Sequence, residues 1–306
     1  MRLLLIRHGE SQNNVKVHQH FHMSTPDLTG PPPAIIESLA QSWKENDLLT
    51  SKGHSQARLL SSKYSSVINA IKKEGHPVRI FSSIQNRPIQ TALPLAQTTE
   101  TLLEIIDDLH EIGGPGPPFP GVRELHQAMV RLGRDGISET AVEIRALDPL
   151  VDTSRLQRQS GRVLPRNKDE IYSSVPFTML QSFADSISHR AGRVKEFLMS
   201  KELHDELGED GLCVVFSHAA FLTFLIYEKL LGIEMRPVAE WEPKDFFDKG
   251  GVVLGQHMGN TATHLLDMDR EGRCSAVWLN NLSHLVVADG SEIGSLTLEQ
   301  RMFSKM

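Results

Sequence analysis

The sequence contains little cysteine, no long hydrophobic run and no large excess of charge of either sign. Its two cysteines, Cys213 and Cys274, cannot form a disulfide framework or, between them, a metal site. No run approaches the ~18 consecutive apolar residues that a membrane span needs. A formal net charge of −6 argues against a surface that wraps a polyanion. We therefore expect a reducing compartment, no nucleic-acid partner and no membrane association.

The two ends of the chain bear on its location. An apolar strand is predicted from residue 2 onward, which leaves no room for a signal or transit peptide. This favours a cytoplasmic protein. The last three residues, Ser304-Lys305-Met306, resemble the peroxisomal address Ser-Lys-Leu, so peroxisomal import is the alternative.

Continuous apolar runs alternate with amphipathic segments along the chain, which predicts an α/β fold. Runs at 3–6, 77–83 and 212–217 have the composition of strands that are buried on both faces. We expect a three-layer α/β/α sandwich with a mainly parallel central sheet. The late segments 261–267 and 274–279 are predicted to add edge strands, which could run antiparallel.

Helix signals follow the first two predicted strands and precede and follow the third. Thr50 is a candidate N-cap for a helix whose apolar positions extend to Ile71, and Pro88 marks the start of another helix. Apolar spacing from Phe177 to Phe197 predicts a long helix, and Gly232 closes the helix that follows residue 217.

Two segments interrupt this alternation. We expect a single domain over 1–306 with insertions at about 15–48 and 113–176. The second insertion contains the proline-rich "PGPPFPG", from which we predict a semi-rigid lid that, with the first insertion, sets substrate choice.

Polar residues occur at three predicted strand ends. Arg7-His8-Gly9 follows the first strand, Ser82-Ser83 leads to Arg87, and Ser217-His218 ends the third strand. The carboxyl ends of parallel strands share one edge of a sheet, so two arginines and two histidines should converge on one pocket. Arginine binds phosphate oxygens through its planar fork, and a histidine ring nitrogen can act as a nucleophile. The pattern therefore indicates phosphoryl chemistry.

Several ordered blocks of the sequence carry a family resemblance. "RHGESQNN", "LTSKGHSQA", "SSIQNRPIQTA", "LHEIGG" and "VVFSH" occur in that order. They resemble the motifs of the histidine phosphatase superfamily, in its phosphoglycerate mutase-like branch, and cover about half of the chain. The resemblance implies a phosphoglycerate mutase-like sandwich that needs no cofactor and no metal.

The resemblance also implies roles for individual residues. His8 would attack phosphorus and form a phosphohistidine, while Arg7, Arg87, Asn14 and His218 would hold the phosphoryl oxygens, with His218 counted among the catalytic residues as well. Ala219 stands where the family often has glycine, which affects the detail of the site more than its chemistry.

The resemblance also implies a general acid. Glu111, in "LHEIGG", would protonate the leaving alcohol and then activate water. Other carboxylates lie nearby in the sequence and remain alternatives: Glu10, Glu104, Asp107 and Asp108.

Two further motifs have simpler interpretations. The alternating histidines of "HQHFH" suggest metal ligands, but no carboxylate or cysteine completes the set, so we predict a loop near the pocket and no metal site. "DSISHRAGRV" resembles a family helix, and we expect its residues to serve packing.

The sequence favours a phosphatase within this family. It lacks the basic residues with which mutases retain a multiply charged intermediate, so water is the expected acceptor and a small-molecule phosphate ester the expected partner. A non-catalytic protein that binds a phosphorylated ligand or acts as a scaffold is the first alternative, and a phosphomutase is the second. The oligomeric state is left open.

Overall fold

The structure is a computed structural model that describes residues 1–16, 34, 38, 47–111, 148–152, 154, 178–233 and 258–285, with 178–187 described as helix without their side chains. Both proposed insertions, the lid, "HQHFH" and the carboxyl-terminal tripeptide lie wholly or largely outside these residues, so those predictions stay predictions. Within the described residues, no helix is long and apolar enough to cross a membrane.

Seven strands form one mixed sheet. Its order is β4-β3-β2-β5-β1-β6-β7. The strands are β1 (Arg2–Arg7), β2 (Val78–Ser83), β3 (Leu103–Ile106), β4 (Val151–Asp152), β5 (Leu212–Ser217), β6 (Thr263–Met268) and β7 (Cys274–Asn281).

The first five strands run parallel, and the last two join the sheet through antiparallel pairing. β5 lies between β1 and β2 and is parallel to both, while β6 pairs antiparallel with β1 and with β7. The predicted mainly parallel sheet and its antiparallel edge strands are confirmed.

Helices cover both faces of the sheet, in the three layers that the sequence predicted. The described helices are α1 (Ser51–Lys73), α2 (Asn86–Thr99), α3 (Thr178–Leu198), α4 (Lys201–Leu207) and α5 (Ala219–Thr223), which continues as a π-helix over Phe224–Leu230. Gly232 follows with a φ of 65°, as expected of a residue that ends a helix.

Alternate residues of the central strands supply two separate cores. Leu3 and Leu5 pack with the cluster that includes α3, α4 and the π-helix, whereas Leu4 and Ile6 pack with α1 and α2. Each of these four side chains is at least 98% buried. The strand reads as a continuous apolar run because both of its faces are covered.

Two glycines allow the loop after β1 to lie against the start of α1. A Cβ on Gly53 would stand 2.1 Å from the carbonyl oxygen of Glu10, and one on Gly9 would stand 2.8 Å from that of Gly53. The Thr50 side chain caps α1 by accepting from the Gly53 N–H, as predicted from the sequence. Helix capping and backbone contact together fix the loop that carries His8.

Replacing Gly53 with alanine should therefore destabilise the fold. The added methyl group meets backbone atoms that cannot move aside, so we expect a loss of about 1 to 3 kcal/mol in the free energy of unfolding. A Cβ on Gly192, in α3, would have no atom within 4 Å, so Gly192→Ala is the matched control. It should stabilise by up to about 1 kcal/mol. Urea unfolding of both variants measures the difference, and an equal effect of the two changes would contradict the close contact.

Candidate active site

The three polar strand ends predicted from the sequence meet at the carboxyl edge of the sheet. β2, β5 and β1 are consecutive in the sheet, and their registers place Ile6 beside Phe216 and Ser82 beside Phe216. His8 and His218, each one residue past a strand, have ring centroids 5.2 Å apart with an interplanar angle of 61°. The arrangement places two imidazoles side by side at this edge of the sheet, which we call the candidate pocket.

The His8 ring is held in one orientation. Its Nδ1 lies 2.7 Å from the Gly9 carbonyl oxygen, to which it can only donate, so Nε2 carries the lone pair. Arg87 Nε donates to that Nε2 over 3.1 Å. Burial lowers the pKa of His8 well below its ordinary value, and the charges of Arg87 and Arg7 lower it further. His8 therefore offers an unprotonated nitrogen to the pocket.

His218 is buried and neutral beside it. Its Nδ1 accepts from Arg87 Nε at 3.2 Å, so Nε2 is protonated and donates to the Ser83 hydroxyl at 3.1 Å. Burial, followed by the positive charge of Arg87, lowers the pKa of His218 well below its ordinary value.

Arg87 joins both histidines to a carboxylate that the sequence analysis did not single out. Its Nη1 donates to Asp47 Oδ1 at 2.6 Å, and Asp47 is completely buried. The other Asp47 oxygen accepts from the Asn13 N–H at 2.9 Å. Asp47 thus holds the Nη1 end of the guanidinium, while Nε of the same group donates to the two imidazoles.

Arg7 and Asn14 occupy the other side of the His8 loop. Arg7 donates through Nη1 to the Met258 carbonyl oxygen, and its buried Nε has no partner among the residues that the structure describes. Burial lowers the pKa of Arg7 to about 10, with Glu111 opposing and Arg87 adding to the shift. Asn14 Oδ1 accepts from Ser11 N and from Asn260 Nδ2, which also donates to the His8 carbonyl oxygen. Asn14 is therefore anchored beside the loop that carries His8.

Glu111 reaches the site from the segment after β3. Its Oε2 accepts from the Ala220 N–H at 3.3 Å, and its buried Oε1 has no partner among the described residues. Burial raises the pKa of Glu111, against the opposing charges of Arg87, Arg190 and Arg7. A carboxyl group whose neutral form is favoured can donate a proton.

The alternative carboxylates are engaged elsewhere. Glu10 accepts from Thr50 and pairs with Lys52 at 3.0 Å, while Glu104 pairs with Arg79 and Asp108 with Arg193. Burial and the charge of Asp108 raise the pKa of Asp107 to about 6, and the positive charges that oppose this shift belong to Arg190 and Arg193. Glu111 interacts with both Arg7 and Arg87, the two proposed phosphate-binding arginines.

Sequence reasoning missed two charged residues of this site. Asp47 carried no signal, since its partner Arg87 lies 40 residues away. The sequence did contain a signal for Arg190, which shares the apolar stripe of α3 with three buried residues: Ala191, Val194 and Leu198. A charged residue in such a stripe has to be paired or functional, and "DSISHRAGRV" was assigned to packing alone.

A hydroxyl group from α2 also fixes the loop that carries His8. The Gly9 N–H donates to the Thr91 hydroxyl at 2.9 Å, which ties the loop to that helix. Across the described part of the chain, no group of three His, Cys, Asp or Glu residues is arranged to hold a metal ion.

Comparisons with known proteins give only distant structural similarity. No protein-family model matches the chain, and no curated protein matches it at a significant level. A phosphoserine phosphatase from Entamoeba histolytica in complex with 3-phosphoglyceric acid is 17% identical with a TM-score of 0.45, covering 93% of this chain and 98% of that one. A mycobacterial glucosyl-3-phosphoglycerate phosphatase in complex with VO3 is 18% identical with a TM-score of 0.45, covering 92% and 99%.

A protein described as mycobacterial hydrolase 1 is 17% identical with a TM-score of 0.46, covering 92% of this chain and 98% of that one. Because this similarity is low, the fold and the candidate site of this chain are described from its own topology and side-chain geometry alone.

Proposed function

We propose that this protein is a metal-independent phosphatase that hydrolyses a small organic phosphate monoester through a phosphohistidine on His8. The observation that carries the proposal is the His8 Nε2 lone pair, which faces the pocket beside Arg87, His218 and Arg7. Arg87 and Arg7 would bind the phosphoryl oxygens and stabilise the charge of the transition state. His218 would join them after its Nδ1 takes up a proton, which the negative charge of a bound phosphate favours.

The chemistry divides into two displacements. His8 Nε2 attacks phosphorus, the bond to the ester oxygen breaks, and the leaving oxygen takes the proton of the neutral Glu111 carboxyl group. The Glu111 carboxylate then accepts a proton from water, which attacks phosphorus. The phosphorus–nitrogen bond breaks, its electron pair returns to Nε2, and inorganic phosphate leaves.

Arg87 has to change its hydrogen-bond partners when a phosphate ester binds. Arg87 Nε donates to His8 Nε2 and His218 Nδ1, the same nitrogen atoms that an entering phosphoryl group would meet. Binding therefore has to move this donor from the imidazoles to a phosphoryl oxygen. The Asp47 contact can hold the guanidinium in place while Nε changes partner.

The proposal is tested by trapping the intermediate. We expect the protein to hydrolyse a generic aryl phosphate in the presence of a metal chelator. Rapid quenching in alkali should leave phosphate on the protein that is stable to base, labile to acid and confined to the peptide that contains His8. Loss of turnover on chelation, or an acid-stable phosphoprotein, would contradict the proposed mechanism. Binding of inorganic phosphate without turnover of any ester would favour the non-catalytic alternative.

A further inference from the structure

Arg190 is a buried arginine that contacts the segment carrying Glu111. It lies on α3 and is 5% exposed. Its Nη1 donates to the Asp108 carbonyl oxygen at 3.1 Å and to the His110 carbonyl oxygen. Its guanidinium carbon stands 5.4 Å from the centroid of the buried Phe221 ring. The residue therefore ties α3 to the backbone directly before Glu111.

The remaining donors of Arg190 have no partner among the residues that the structure describes. Nε and Nη2 are buried and make no hydrogen bond to any described residue. A buried cation is costly unless an anion compensates for it. Three carboxylates interact with Arg190 electrostatically, and Glu111 has the largest effect, ahead of Asp108 and Asp107. Asp108 is already paired with Arg193 at 2.5 Å and Asp107 has the smallest effect of the three, so Glu111, when ionised, is the carboxylate that balances the charge most strongly.

We propose that Arg190 is a positioning residue that holds the Glu111 segment in place and supplies the buried positive charge that faces the Glu111 carboxylate. The proposal rests on the proposed function, since it assigns Arg190 a task only through the general acid. Arg190 makes no hydrogen bond to the His8 ring or the His218 ring within the described residues. Its charge adds to the lowering of the His218 pKa only after burial, Arg87, His8 and His110, so its main effect on catalysis is expected to pass through Glu111.

The charge of Arg190 matters most in the second half-reaction. After the leaving group departs, Glu111 is a buried anion that has to persist until water attacks. Arg190 from α3, Arg87 from α2, Arg7 from β1 and the Ala220 N–H from α5 all stabilise that anion, and burial opposes them. Removal of Arg190 should therefore raise the pKa of Glu111 further and move the Glu111-dependent limb of the kcat profile to higher pH.

The test is a double-mutant cycle between Arg190 and Glu111. Arg190→Met should lower kcat for an aryl phosphate by about 10- to 100-fold in the wild type. In a Glu111→Gln background the same change should have an effect of less than about twofold, because the two residues act as one unit. Arg190→Lys should restore the pH profile toward that of the wild type, since the charge is retained.

Arg193→Met is the matched control. Arg193 lies one turn further along α3, is exposed and binds the same segment through the Asp108 carboxylate. Its removal should change kcat by less than about twofold. Arg190→Gln, which keeps an amide donor near the His110 carbonyl oxygen, replaces the methionine variant if that variant fails to fold, as judged by circular dichroism.

The outcomes separate the two proposals. Equal losses in the wild-type and Glu111→Gln backgrounds would show that Arg190 does not act through Glu111, and this inference would be wrong. An Arg193→Met loss as large as that of Arg190→Met would also overturn it, since anchoring of the segment alone would then suffice. Full activity of Glu111→Gln would instead remove the general acid from the proposed function.

Discussion

His8→Ala is expected to lower the turnover of an aryl phosphate by a factor on the order of 10⁴ or more. The change removes the atom that would form the covalent intermediate in the proposed mechanism. Single-turnover kinetics with quenching in alkali should show no phosphoprotein in this variant. Steady-state hydrolysis in the same buffer measures the loss of rate.

Binding should survive this change, which provides an internal control. Arg7, Arg87 and His218 remain, so His8→Ala should still bind inorganic phosphate with an affinity close to that of the wild type. His204→Ala is the matched control variant, because α4 precedes β5 and His204 lies at the opposite end of the sheet from the pocket. Comparable turnover by His8→Ala and His204→Ala would remove His8 from the role of nucleophile.

The strand ends were predictable because short-range signals determine them. The run from Leu3 to Ile6 is apolar at every position, and it stops at Arg7-His8-Gly9. The structure shows why: both faces of β1 are covered by apolar cores, and the polar residues of the candidate site begin where the strand ends. Parallel strands share a carboxyl edge, so residues far apart in sequence could be placed together without any knowledge of their contacts.

The supporting charges were not predictable in the same way. Asp47 belongs to a segment without periodicity, and only the folded chain brings it to Arg87. Arg190 could have been found, because its position in the buried stripe of α3 conflicts with its charge. The proposed general acid was predictable only in part. The motif indicated Glu111, but its interactions with Arg7 and Arg87, which separate it from Asp107 and Asp108, are visible only in the structure.

Helix ends show a smaller difference between prediction and structure. The sequence placed the start of α2 at Pro88, whereas the helix begins at Asn86 with Gln85 as its N-cap residue. Proline is accepted anywhere in the first turn because the N–H groups there have no partner within the helix. Its position therefore predicts where the first turn lies but does not identify the first residue of the helix. Arg87 therefore lies inside that first turn, between the N-cap and Pro88.

Arg87→Met is expected to lower kcat by about 10² to 10³-fold, since it removes a preorganised donor from the transferring phosphoryl group. It should also lower the free energy of unfolding by about 3 to 5 kcal/mol, because Asp47 is left as a fully buried and unpaired anion. Kinetics with an aryl phosphate and urea unfolding measure the two effects separately. Arg58→Met, on the exposed face of α1, is the control for loss of an arginine.

Asp47→Asn distinguishes the two members of the pair. Arg87 keeps 11% of its side chain exposed and borders the pocket, so it can be solvated when Asp47 loses its charge. We therefore expect Asp47→Asn to cost only about 1 to 3 kcal/mol. The double variant should be more stable than the sum of the single changes predicts, by about 0.5 to 3 kcal/mol, because it no longer contains an unpaired buried charge. Strict additivity would mean that Asp47 and Arg87 do not depend on each other, and Asp47 would then lose its role in orienting the guanidinium toward His8 and His218.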